Sequence, residues 1–326
     1  MKHGKSFKLL LLIALTLMFV CSSWAQSTAV RRIGVLTPGG DFAPVLEGLR
    51  QGLAQLGYLE GKQITLIVED TKMETLDPVK AAMRLTAANP DLLVTVATSH
   101  SAAAKQATAS LPIVFTVLAD PVKAGFVASF ASSKNNLTGV SNSLSILSGK
   151  RIEILKELVP GMKRVLAIVT VNELVAQKSF PFLVEAAQKL GLQLIRRDVT
   201  SKEELEKVIV DTPKGSIDAI IHVPSILQRN NIDLIVDKAK KDRLPFGVHA
   251  EELVRKGALM SYGEDNRLIG NQAARLVIKV LNGIQPANIP IETPERPVLV
   301  LNRTTAKIIG LKISPKFFER VDRIVE

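Results

Sequence analysis

The feature that most constrains this chain is a pattern that occurs twice. Apolar runs of strand length alternate with helix-period segments. "RIGVL" (32–36) precedes a turn-rich "TPGGD" and the helix-period "FAPVLEGLRQGLAQLGY" (42–58). "QITLIVED" is strand-like again, "LDPVKAAMRLTAAN" helical, "DLLVTVAT" strand, "SAAAKQATAS" helix and "IVFTVL" strand. Strands that are apolar throughout, separated by helices, predict a parallel sheet covered on both faces. The grammar then restarts: "KRVLAIVT" echoes "RRIGVLT", "IDAIIHVPS" echoes "PDLLVTVATS", and "DRLPFGVHAEE" echoes "ASLPIVFTVLAD". The matched points Arg32/Arg164, Gly57/Gly191 and Pro112/Pro245 lie 132 to 134 residues apart. A constant order at near-constant spacing predicts two similar lobes in tandem rather than one large sheet.

The expected architecture is α/β, with two Rossmann-like parallel-sheet lobes joined by a hinge of three crossings. The lobe boundaries read as 31–142 plus 264–285, and 143–263 plus 286–326. The crossings are "NNLTGVSNSLS", "GALMSYGEDN" and the proline-rich "IQPANIPIETPERP". A hinge of several strands restricts motion to opening and closing a cleft.

The first 25 residues read as a secretory leader: Lys2, Lys5 and Lys8, an apolar run of twelve residues, then Ser23 and Ala25 before a cut at Gln26. The run is too short to span a bilayer comfortably. Lipidation at Cys21 is the rival reading, but it wants a small residue where Val20 stands. Removal of the leader takes the single Cys and the single Trp, and leaves 39 basic against 31 acidic side chains. The charge is dispersed, and the scarcity of aromatic rings argues against nucleic acid as a partner. The expected protein is a cysteine-free, periplasmic monomer.

In open parallel sheets, ligands bind beyond the carboxyl ends of the strands, where helix N-termini also point. The loops so identified contain Thr37, Pro38, Gly39 and Asp41; Thr98, Ser99, His100 and Ser101; and Asp120. In the second half they contain Asn172, Pro224 and Ser225, and His249 and Glu251. The crossovers add Asn142 and Tyr262. The hydroxyls at 98–101 are expected to cap the helix "SAAAKQAT" and to offer its amides to an anion. Asp120 either accepts an ammonium group or caps a helix begun at Pro121. Asn142 bonds a ligand or holds a turn. Tyr262 packs on a ligand ring or fills the hinge. Asp265 reads as a helix cap, and Lys150-Arg151 as a solvated helix face.

Catalysis is not expected. Ser99 and His100 are adjacent, so their side chains should diverge, whereas a nucleophile and base need spatial contact and a third orienting group. The G-x-S-x-G elbow, the dinucleotide and P-loop glycine patterns and any metal-ligand spacing are missing, so neither metal nor cofactor is expected.

Several stretches together resemble a known family: "GLRQGLAQLGYLEGKQI", "PIVFTVLADPVKAGFVASF", "NLTGVSN", "GKRIEILKELVP", "LMSYG" and "TAKIIGLKISP". In order and joint presence they resemble the ABC transporter substrate-binding proteins, a family that includes tryptophan/tyrosine-type members. The resemblance runs from about Arg32 to Glu326. It implies a type I periplasmic-binding fold, an amino acid held between the lobes, of the aromatic class that family members with known ligands bind, and delivery to an inner-membrane ABC permease. It further implies that the Thr98–Ser101 loop holds the carboxylate and that Asp120 faces the amino group. The sequence departs from the family where Ala97 replaces a glycine, where His100 replaces a small residue, and where Asn172 lacks its following proline. The alternative with the same fold is a ligand-sensing subunit of a signalling system.

Overall fold

The computed structural model describes residues 30–326 except Glu74 and Ser143. The leader, with Ala25 and Cys21, lies outside the described residues. The chain begins β1 (Arg31–Thr37), a 3-10 turn (Gly40–Phe42), α1 (Ala43–Gln55), β2 (Ile64–Asp70), α2 (Pro78–Ala87), β3 (Leu92–Val96), α3 (Thr98–Ala107), β4 (Ile113–Ala119) and β5 (Leu137–Asn142). These strands form a five-stranded parallel sheet in the order β2-β1-β3-β4-β5.

The second series runs α4 (Leu147–Leu158), β6 (Arg164–Thr170), α5 (Leu174–Lys189), β7 (Gln193–Val199), α6 (Lys202–Asp211), β8 (Ala219–His222) and α7 (Ile226–Asn230). It continues α8 (Ile232–Asp242), β9 (Phe246–Val248), α9 (Glu251–Arg255) and β10 (Met260–Gly263). Next come α10 (Asn266–Leu281), β11 (Val298–Asn302), α11 (Arg303–Ile309), α12 (Pro315–Phe318) and β12 (Arg323–Val325). The second sheet has seven strands, β12-β11-β10-β9-β8-β6-β7, with only the β10–β11 pair antiparallel.

The duplication is visible in detail. Read as β7-β6-β8-β9-β10, the second sheet repeats the strand order of the first. The repeat extends to single bonds. Asp91 accepts from the Arg32 amide at 2.7 Å, and Asp218 from the Arg164 amide at 2.8 Å. Both sheets are covered on both faces, as their unbroken apolar strands require. Leu92 and Val94 join one core while Leu93 joins the other. Ile220 likewise faces away from Ala219 and Ile221.

Helix α10 follows the second series yet packs on α1 of the first. The approach is backbone to backbone. A Cβ on Gly48 would lie 1.9 Å from the Arg267 carbonyl, and one on Gly270 1.9 Å from the Val45 carbonyl. Asp265 caps α10, accepting from the amides of Arg267 and Leu268 at 2.7 and 3.2 Å. The boundary at 286 needs correction. Glu292 donates to Gly139 O at 2.9 Å and accepts from the Ser141 amide at 2.8 Å, so 286–292 lies along β5 of the first lobe. The third crossing therefore falls between Glu292 and Val298, where backbone pairing to the second sheet begins.

Candidate functional site

A cavity of about 560 Å³ lies between the lobes, at the carboxyl ends of the strands. The first lobe contributes Gly40, Asp41, Phe42 and Pro44, then Ala97 and Thr98, Val117, and the crossing residues Asn142 and Leu144. The second contributes Arg229 of α7, the turn His249–Glu252, Arg255, and Ser261 and Gly263 of β10; the crossing adds Glu264–Arg267. Val298, Val300 and Arg323 close one side.

Of the residues read from the sequence, Asp41, Thr98, Asn142, His249 and Glu251 line this cavity. The others are placed elsewhere for identifiable reasons. Thr37 is buried and its hydroxyl accepts from the Gly39 amide at 3.1 Å, while the Pro38 carbonyl accepts from Met73. Gly39 packs against Asp70, so the loop presents its next residues, Gly40 to Phe42, to the cavity.

Helix α3 begins at Thr98, three residues earlier than its alanine run suggests. Its N-cap is Ala97 at φ 72, ψ 162, and no hydroxyl caps it. That conformation is almost exclusive to glycine. The early start turns His100 and Ser101 inward with Ala103 and Ala104. Ser101 bonds Thr95 Oγ1 at 2.8 Å, and His100 Nε2 bonds Thr71 Oγ1 at 2.7 Å. Ser99, on the exposed side, does not diverge from its neighbour; its hydroxyl lies 3.1 Å from His100 Nδ1.

Asp120 sits at φ 51 after β4 and pairs with Lys178 of the other lobe at 2.7 Å, outside the cavity wall. Pro121 begins a turn rather than a helix. In the second lobe, Ser225 is the N-cap of α7, accepting from Gln228 N at 3.1 Å and meeting Thr170 Oγ1 at 2.7 Å. Glu173 accepts from the Ile226 and Leu227 amides at 2.7 and 2.9 Å, so this helix mouth already holds a carboxylate. Pro224 is buried beside it, and Asn172 is exposed on the preceding turn, away from the cavity. Tyr262 also misses the wall. Strand alternation sends Ser261 and Gly263 toward the cavity and packs Tyr262 on the opposite core.

Val117 lines the cavity at φ 53, where the β4–β5 register shifts between Thr116 and Leu118. A β-branched residue at positive φ marks a bulge that re-aims a side chain.

The charged wall is largely self-neutralised. Arg229 Nη2 reaches Asp41 Oδ2 across the cleft at 2.9 Å and also bonds Glu252 of its own lobe. Phe42 lies under the same guanidinium, 5.8 Å from ring centroid to Cζ. Arg323 bonds Glu251 and Asp265, and Arg255 bonds Glu251. Burial pushes the Glu252 carboxyl up, opposed by the attraction of Arg229.

Behind the wall, Arg151 is fully buried, not solvated. Its Nε donates to the Tyr262 carbonyl at 3.1 Å and its Nη1 to Ser148 Oγ at 3.2 Å. Burial pushes this guanidinium down to about 9, with Glu264 opposing, so it stays a cation at neutral pH. His222 and His249 meet at 2.9 Å between Nδ1 atoms. Burial first, then Arg151 and Arg229, pushes His222 down to about 3; burial and His222 hold His249 well below its ordinary range.

Arg229 and Glu252 were not read from the sequence. The signal was available for Arg229, which stands one helical turn beyond the N-cap Ser225 and returns to the same edge. Among the described residues no helix is long and apolar enough to cross a membrane.

Residues 37–324 match the family model described as ABC transporter substrate binding protein. A tyrosine-binding protein of Clostridioides difficile is 27% identical over 267 residues, covering 82% of this chain and 76% of that protein. Among solved structures, a conserved domain protein from Vibrio cholerae superposes with TM-score 0.76 at 25% identity, covering 91% of this chain and 100% of that one. An ABC domain from Streptococcus pneumonia in complex with L-Trp gives TM-score 0.75 at 23% identity, with coverage 91% and 100%. A ligand-free, open substrate binding protein with adhesive properties from Clostridium difficile gives 0.78 at 23%, with coverage 91% and 99%.

Proposed function

We propose, from the premise that this chain belongs to the ABC transporter substrate-binding protein family, that it is a periplasmic receptor which captures one small solute between its lobes and presents it to an inner-membrane ABC permease. Its fold is that of the type I periplasmic-binding proteins. The solute is an amino acid with an aromatic side chain. The observation that carries the reading is the interlobe cavity of about 560 Å³, walled by both lobes and bridged by three crossings. Closure of such a hinge is the signal by which a permease distinguishes loaded from empty receptor.

Within that reading, the solute carboxylate lies at the mouth of α3, beside Ala97 and Thr98. A helix N-terminus favours an anion by up to ~2 kcal/mol when partly buried. The corresponding mouth of α7 is taken by Glu173. The ammonium group meets the wall's own carboxylates rather than Asp120, which is engaged by Lys178. Phe42 supplies an aromatic face. The leader is removed before Gln26, and the receptor works as a monomer. The relatives described as binding tyrosine and as complexed with L-Trp support an aromatic solute.

The test is thermal unfolding of protein beginning at Gln26, screened against the twenty amino acids. A ligand at a hundred times its Kd stabilises by about 2.7 kcal/mol, a rise of roughly 4 °C for a protein of this size. L-tyrosine or L-tryptophan should give that rise. A rise only with another solute class removes the aromatic assignment, and conversion of the bound compound removes the receptor reading.

A further inference from the structure

We propose that His222, one layer behind the cavity wall, is a positioning residue that fixes the tautomer of His249, so that the cavity presents an Nε2–H donor and takes a ligand acceptor there. The donor's role toward a ligand rests on the receptor reading above; the tautomer itself does not.

The two histidines stand at the ends of neighbouring strands, His222 closing β8 and His249 following β9. Their Nδ1 atoms are 2.9 Å apart, the ring planes lie 13° from parallel and the centroids are 4.9 Å apart. Nitrogens that close with centroids that far apart mean the rings meet edge to edge, so one Nδ1 donates to the other. Phe246 holds the far side of His222 edge-on at 6.5 Å. On the His249 side, Gly263 allows close backbone approach, since a Cβ there would lie 1.8 Å from the His249 carbonyl. Neither ring is free to turn away.

Only two neutral arrangements satisfy that contact. If His249 donates, His222 carries its proton on Nε2. That atom is sealed from solvent and has no hydrogen-bond partner. A buried N–H without an acceptor is the rarest defect in folded proteins; a bare acceptor is tolerated better. Arg151 and Arg229 oppose a charged imidazolium in either ring. His222 therefore donates through Nδ1–H, and His249 accepts at Nδ1 and carries its proton on Nε2. His249 lines the cavity and keeps 7% of its surface exposed, whereas His222 has none. A neutral donor at this point suits a carboxylate, carbonyl or phenolic oxygen and rejects an ammonium group.

The experiment is long-range 1H–15N NMR on 15N-histidine-labelled protein without ligand, assigned with the His249→Gln and His100→Gln variants. His249 should show protonated-type Nε2 and lone-pair-type Nδ1, and His222 the reverse. His222→Phe should give His249 a mixed tautomer signature. The opposite pattern in wild type, or an unaltered His249 in His222→Phe, overturns the assignment. Binding of L-tyrosine is the second arm. His249→Gln, which keeps an amide donor near the ε position, should bind within about twofold of wild type, and His249→Leu roughly two- to tenfold more weakly. Equal affinity for all three proteins overturns the donor role. If L-tyrosine fails to bind wild type, the aromatic reading falls, while the NMR arm still decides the tautomer.

Discussion

Replacing Asp41 by Asn should open the cleft without unfolding either lobe. Asp41 meets Arg229 across the cleft at 2.9 Å, and Arg229 is held by Glu252 within its own lobe. Hinge opening separates the first pair and leaves the second intact. The Arg229 side chain is 19% exposed and that of Asp41 37%, so the pair is neither a surface pair nor a buried one. Coulomb attraction at an effective dielectric near 20 gives about 4 kcal/mol at 4 Å. Desolvation and side-chain ordering remove most of it: exposed pairs retain about 0.2–1 kcal/mol, and this less exposed pair is placed at the upper end, about 1 kcal/mol. The amide keeps the shape and one acceptor, so Asp41→Asn removes the charge alone. The expected shift is about fivefold in the closed-to-open ratio, since about 1.4 kcal/mol is tenfold. Protein beginning at Gln26 contains no cysteine, which allows clean labelling at Lys62→Cys and Lys214→Cys, both exposed and one on each lobe. Interlobe energy transfer should fall in the variant at low salt. It should fall in wild type as salt rises from about 0.1 to 1 M, where the screening length drops from ~10 to ~3 Å. Arg229→Gln should open the cleft similarly and also lower the melting temperature, because it strands the half-buried Glu252. A double-mutant coupling below about 0.2 kcal/mol between positions 41 and 229 would show that the bridge holds nothing closed.

Two other outcomes follow from strain and from charge. Ala97→Gly relieves a backbone conformation costing about 1–3 kcal/mol, partly offset by the greater chain entropy of glycine; calorimetry should show a rise of roughly 1.5–2 °C per kcal/mol gained, and an unchanged or lower melting temperature refutes the strain. Asp218 is pulled from its ordinary 3.8 down to about 2, first by its bond to Arg164 and then by two amides, against burial. Its folded-state value is depressed, so its stabilisation is complete above about 4 and lost as pH falls toward 2. Urea midpoints for Asp218→Asn should be lower at pH 5 and flatter between pH 4 and 2; parallel curves for the two proteins contradict the assignment.

The lobes were legible because unbroken apolar strands and their spacing are properties of the chain itself. Loop positions followed from strand direction, which is why Asp41, Thr98, His249 and Glu251 fall on the cavity wall, while Asn142 came from the crossover. What failed was side-chain direction. A helix start misplaced by three residues put His100 in a loop, when its true position shares a face with Ala103 and Ala104. Arg151 reads as solvated beside Lys150, yet it stands on the stripe of Ile152, Leu155 and Leu158. A charge on an apolar stripe was the available sign of a buried cation. Tyr262 fell to the period of two in a strand, which chose Ser261 and Gly263 instead. The cross-cleft pair Asp41–Arg229 joins residues 188 apart and leaves no periodic trace.

The seating of α10 on α1 bears on the order in which the molecule is made. The first lobe's strands are complete at Asn142, yet the helix that covers Leu49 and Leu53 of α1 ends at Leu281. A nascent chain that stops short of that point exposes an apolar strip and leaves the notches at Gly48 and Gly52 of α1 with nothing in them. The second lobe must therefore emerge before the first can finish, and the last strands to form are those that return to the second sheet. Long-range closure of this kind slows folding relative to local contacts and leaves the half-made chain prone to association. The hinge between the lobes is also the point at which synthesis of one lobe waits for the other.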